Sequence, residues 1–89
     1  MIEKRSNKLF VNGNTLPKGD SDLITHLLRS ENGLSAFQLM GLTGKIYVQY
    51  IQNRLRTLVS IGIVVKTGRG IYEINPELRE ELKKVMEIA

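Results

Sequence analysis

Apolar residues recur at helical spacing in most of the chain, gather into two short β-branched runs near its end, and are separated throughout by glycine and proline. Leu23, Ile24, Leu27 and Leu28 mark one face of a first helix, which Asp20 is placed to cap and Asn32-Gly33 to end. Ser35 with Gln38 three residues later has the capping-box spacing, and Ala36, Phe37, Leu39 and Met40 give a short second helix stopping at Gly41. Thr43 stands as the cap of a longer third helix, from about Gly44 to Ile61. Val48, Ile51, Leu55 and Leu58 form its apolar face and Gly62 closes it.

Ile63-Val64-Val65-Lys66 and Ile71-Tyr72-Glu73-Ile74 are β-branched and aromatic runs joined by Thr67-Gly68-Arg69-Gly70, a loop of hairpin length. Asn75-Pro76 then starts a fourth helix with Leu78, Leu82, Val85 and Met86 at i, i+4, i+7 and i+8. The first nineteen residues hold one legible piece, Lys8-Leu9-Phe10-Val11. It reads as a short strand before the Asn12-Gly13-Asn14 turn, or as part of an arm that orders on a partner. The pattern therefore predicts a mainly α chain with a small β-hairpin, an α+β class, divided into an N-terminal arm or strand (1–19), a core domain (20–75) and a C-terminal helix (76–89).

The third helix is two-faced. At about 100° per residue, with Ile51 facing the core, Lys45, Gln49, Gln52 and Arg56 line the opposite side and Asn53 flanks them. Amides and cations of this kind read base edges in a major groove or clamp phosphates. They also make an ordinary solvated helix face, so the stripe acquires meaning only from its place in a fold. Ile46 lies off the apolar face, where it either packs on the second helix or touches a thymine methyl. Tyr47 falls near the core side, Tyr50 to one side, and Phe37 and Tyr72 read as core residues. His26 projects from the polar face of the first helix.

Composition narrows the chemistry. With 89 residues the chain makes one small domain. It has no Cys, and no potential ligands cluster around its one His, which excludes disulfides, thiolate zinc sites and cysteine nucleophiles. No apolar run approaches bilayer length and no signal-peptide core is seen, so a cytoplasmic, nucleoid-associated protein is expected. The net charge is +4, and the surplus sits in the middle: between 34 and 75, Lys45, Arg54, Arg56, Lys66 and Arg69 face Glu73 alone. Such a balance favours a polyanionic partner.

Residues 34–74, with Leu34-Ser35-Ala36-Phe37-Gln38-Leu39-Met40-Gly41-Leu42-Thr43-Gly44, Asn53-Arg54-Leu55-Arg56-Thr57-Leu58, Gly62-Ile63-Val64 and Gly68-Arg69-Gly70-Ile71-Tyr72, resemble small winged helix-turn-helix transcription regulators of bacterial and archaeal type. With the first helix the resemblance covers most of the chain. It implies a three-helix core, a wing at 67–70 and a C-terminal helix, with the third helix as the reader of double-stranded DNA. On that resemblance Lys45, Ile46, Gln49, Gln52, Asn53 and Arg56 are the expected groove contacts. Lys66, Thr67 and Arg69 on the wing, and Ser35 and Thr43 at helix starts, are expected at phosphates or in a minor groove. Leu78, Leu82, Val85 and Met86 would then pair two subunits as a homodimer, unless they pack on the first helix.

No enzyme is expected. Gly41-Leu42-Thr43-Gly44-Lys45-Ile46 lacks the first glycine and the metal-binding hydroxyl of a phosphate-binding loop. Gly68-Arg69-Gly70 lacks the third glycine of a dinucleotide fingerprint. Neither cofactor, small-molecule ligand nor membrane partner is indicated. Two other readings compete with a regulator: an architectural or plasmid-partition protein coating DNA with little sequence preference, and a winged-helix module binding protein. Against the last stand the basic middle segment and the expectation that no apolar patch is exposed outside the fourth helix.

Overall fold

The computed structural model describes residues 2–5 and 8–87, an α+β domain of four helices and two small antiparallel sheets. A meander opens the chain: β1 (Ile2–Arg5), β2 (Lys8–Val11) and β3 (Asn14–Leu16). Its register sets Ile2 opposite Val11 and Leu9 opposite Leu16. Residues directly opposite share a face, and these four are buried in the domain core. The strand expected at Lys8–Val11 is thus the middle one of three, and the segment is part of the domain, where an arm was the other reading.

α1 (Lys18–Arg29) follows, then the two-residue strand β4 (Leu34–Ser35), α2 (Ala36–Thr43), α3 (Val48–Ser60), β5 (Val64–Gly68), β6 (Ile71–Ile74) and α4 (Arg79–Val85). The hairpin expected around Arg69 is β5–β6, and β4 adds to β6 as a third strand in the order β4-β6-β5. Leu23, Ile24, Leu27 and Leu28 of α1 meet Leu39, Ile51, Leu55, Leu58, Ile63, Val64 and Ile74 in one core. Burial of such side chains contributes roughly 1.5–3 kcal/mol each.

Several expected helix boundaries shift for physical reasons. α1 begins before Asp20, with Pro17 as its N-cap. Asp20 is buried inside the first turn and serves Arg54 instead of a cap. α2 runs through Gly41 to Thr43, whose hydroxyl donates to the Leu39 carbonyl at 2.7 Å, and ends where Gly44 turns left-handed at φ +73°. Thr43 therefore belongs to the end of α2 and does not cap α3, which starts only at Val48 behind Tyr47. Ser35 does form the expected capping box: its hydroxyl accepts from the Gln38 amide at 3.1 Å, and the Gln38 side chain accepts from the Ser35 amide at 2.8 Å. Ser35→Ala is expected to lower stability by about 1 kcal/mol in urea unfolding.

At the C-terminal end, Asn75 binds both ways: its amide nitrogen donates to the Gly62 carbonyl at 2.9 Å and its oxygen accepts from the Glu77 amide at 3.1 Å. The helix proper then starts at Arg79, later than Pro76. The Arg79 guanidinium donates to the Leu28 and Ser30 carbonyls and so closes the end of α1. α4 lies against β1, where the Ile2 amide meets the Glu81 carboxylate at 3.3 Å. Leu82 is fully buried, while Leu78, Val85 and Met86 are half-buried against the same core. The stripe read as a subunit-pairing surface is therefore turned largely inward, and Leu82 has no surface to offer a second copy.

Candidate nucleic-acid interface

Ile51, Leu55 and Leu58 anchor α3 in the core. The opposite side of the helix then has to face outward, and it does: Gln49, Asn53 and Arg56 are exposed, and Gln52 is half-buried. Gln49 donates to Asn53 at 3.2 Å across one helical turn. The rotational setting of α3 is fixed by a second contact, since Arg54 reaches Asp20 of α1 through two hydrogen bonds of 2.9 and 2.7 Å. The Asp20 hydrogen bond raises the Arg54 pKa above its ordinary value, against the opposing effect of burial. Arg54 is thereby a structural cation, unavailable to a ligand.

Between α3 and the hairpin runs an open cleft. One part, about 370 Å³, is lined by Gln52, Arg56, Val59, Lys66 and Tyr72. An adjoining part of about 320 Å³ shares Gln52, Lys66 and Tyr72 and adds Ser35, Ala36, Phe37, Arg69 and Gly70. The Lys66 ammonium sits 5.9 Å from the Tyr72 ring centre, a cation-π distance. Gln52 and Arg56 from the helix are thus joined to Lys66 and Arg69 from the hairpin. Thr67 is exposed on the same hairpin. Ser35 lines the cleft with its hydroxyl oxygen accepting from the Gln38 amide, which leaves its proton to donate, whereas the Thr43 hydroxyl proton is spent on the Leu39 carbonyl.

Lys45 and Ile46 precede α3 instead of lying on it, in the turn between α2 and α3. Ile46 is 82% exposed and Tyr47 73%, and they line a second depression with Lys45 and Tyr50. Two expectations are corrected here. Tyr47 and Phe37 (66% exposed) are surface residues, not core residues. Helical spacing misplaced Tyr47 because the helix had been started too early, and Phe37 because Ala36 and Leu39 suffice to anchor so short a helix. The expectation that no apolar patch is exposed outside the C-terminal helix also fails, since Ile46, Tyr47 and Tyr50 are exposed around one depression, and Phe37 and Leu42 are exposed as well.

The charge along this surface is one-sided. No Asp or Glu occurs between Glu31 and Glu73, the stretch that supplies α2, α3 and most of the hairpin. Among the described residues, no group of His, Asp and Glu is arranged to hold a metal ion, and no helix is long and apolar enough to cross a membrane. No protein-family model matches the chain, and neither the curated proteins nor the solved structures contain a match to it.

Proposed function

We propose that the protein binds double-stranded DNA as a small winged helix-turn-helix transcription regulator, with α3 in the major groove and the β5–β6 hairpin as the wing. The observation that carries this reading is the cleft in which Gln52 and Arg56 of α3 meet Lys66 and Arg69 of the hairpin on a surface without a carboxylate. A phosphate backbone supplies the charge that such a surface lacks, and base edges supply partners for exposed Gln and Arg. Gln49, Asn53 and Arg56 would read bases, Gln52 would support them from the cleft, and Lys45, Lys66 and Arg69 would hold phosphates. Thr67 is placed beside them as a neutral backbone contact. A homodimer belongs to the same proposal, through surface other than Leu82. Its signature is a pair of half-sites a helical turn apart.

Selection of fragments from genomic DNA by the purified protein is expected to enrich one motif. On that motif at fixed salt, Gln49→Ala with Arg56→Ala should erase sequence preference, at roughly 1–3 kcal/mol per lost base contact. Arg69→Ala should weaken all duplexes alike and reduce the salt slope by about one. Unchanged binding in both variants overturns the residue assignment. Enrichment without any motif identifies a coating protein instead.

The exposed Ile46, Tyr47 and Tyr50 favour a second reading, a module that binds another protein through this face. The missing carboxylates weigh against it, because they leave the face with nothing to pair with a partner's cations.

A further inference from the structure

The depression at the entrance to α3 is chemically unlike the cleft between α3 and the hairpin. Ile46 and Tyr47 stand almost free of the protein, Tyr50 continues the surface one residue after Gln49, and about 270 Å³ lies open between them and Lys45. The Lys45 ammonium is 5.9 Å from the Tyr50 ring centre. An apolar surface of this kind, exposed beside a lysine, loses free energy to water unless its partner is also apolar there. The patch also has the most exposed large apolar side chain of the described chain, on the residue that leads into the proposed reader helix.

We infer that Ile46, Tyr47 and Tyr50 form a receptor for the C5-methyl groups of pyrimidines in the major groove, so that the protein prefers thymine, or 5-methylcytosine, over the unmethylated base. The inference rests on the DNA-binding reading and adds to it the chemical group that is recognised. A base pair presents one apolar group in the major groove, the C5-methyl. A duplex therefore satisfies the patch only where methyls lie, while Lys45 beside it satisfies the neighbouring phosphate. The same arrangement disfavours an apolar protein surface, since a partner would have to bring carboxylates as well as hydrocarbon to fit both halves.

The test compares an alternating dA–dT duplex with the same duplex carrying dU for dT, at one salt concentration, for the wild type and for Ile46→Ser and Tyr47→Ser. Removing a methyl should weaken the wild type about fourfold for each methyl that touches the patch. Both variants should lose most of the difference between the two duplexes, whatever their affinity for the dU duplex itself. This double comparison removes any effect of the methyl on DNA shape. Both side chains are exposed, so neither variant should lower the unfolding midpoint, and Tyr47→Ser, which places a capping residue in front of α3, should if anything raise it. Equal wild-type affinity for the two duplexes overturns the inference while leaving DNA binding intact, and so does a difference that persists in both variants. Tighter binding to single-stranded dT, lost in Tyr47→Ser, overturns it in favour of base stacking on the tyrosines. Failure to bind any duplex overturns the DNA-binding reading itself.

Discussion

Replacing Asp20 by Ala is expected to lower stability by about 3–5 kcal/mol, a large part of what an 89-residue domain possesses. Asp20 is fully buried, and its two oxygens accept from Arg54 Nε and Nη2 in a bidentate pair. Arg54 stays charged at any working pH, so deletion of the carboxylate leaves a half-buried cation that water reaches from one side only. The energy at stake is the cost of breaking the pair, not a net gain from having it. Replacing both partners together, Asp20→Leu with Arg54→Met, should therefore recover most of the loss. Urea unfolding of the three proteins measures this, and a single-variant loss below about 1 kcal/mol would show that water reaches Arg54 once Asp20 is gone. The functional side of the same argument concerns α3. Asp20 is the contact that holds α1 to the flank of the helix carrying Gln49 and Arg56, so the Leu/Met pair should fold and still weaken DNA binding if orientation depends on the hydrogen bonds.

That pair also marks where the sequence stopped being legible. Apolar spacing located all four helices and the β5–β6 hairpin, because each buries a stripe whose period is visible over a few residues. The capping box at Ser35 was legible for the same reason, since both partners lie within one turn. Asp20 and Arg54 are thirty-four positions apart, and Asp20 in front of a helix has a local explanation as a cap that hides the distant one. The β4–β6 pairing escaped notice because a two-residue strand has no alternation to read. The start of α3 is ambiguous in the sequence because Gly44 closes the helix before it, and a glycine and a threonine fit an end as well as a beginning. The difference matters for the candidate site, because Ile46 and Tyr47 form an exposed turn and not a helix face. The outward stripe of Gln49, Asn53 and Arg56 does not depend on where the helix starts, since Ile51, Leu55 and Leu58 fix its phase.

The second large effect is expected at Gly33, which joins the end of α1 to β4. Its φ is +83°, and a Cβ built there would lie 2.7 Å from the Glu73 Cγ, 2.8 Å from the Ile71 Cγ2 and 2.8 Å from the Tyr72 carbonyl oxygen. The Glu73 side chain can swing aside, but the Tyr72 oxygen is backbone in β6 and moves only with the strand. Gly33→Ala should accordingly cost about 2–4 kcal/mol, the sum of left-handed backbone strain and overpacking. Gly13 provides the control. It has nearly the same φ, +86°, with open space around its would-be Cβ, so Gly13→Ala carries the backbone strain alone and should cost about 1–2 kcal/mol. Equal losses in the two variants would show that β6 yields freely to the methyl. A larger loss at Gly33 has a consequence for the cleft, because Leu34 pairs with Tyr72, the residue under the Lys66 ammonium. Pushing β6 away from β4 then moves Lys66 and Arg69 relative to Arg56. Gly33→Ala should thus weaken binding of DNA even under conditions where the variant is fully folded, whereas Gly13→Ala, on the opposite sheet, should bind as the wild type does.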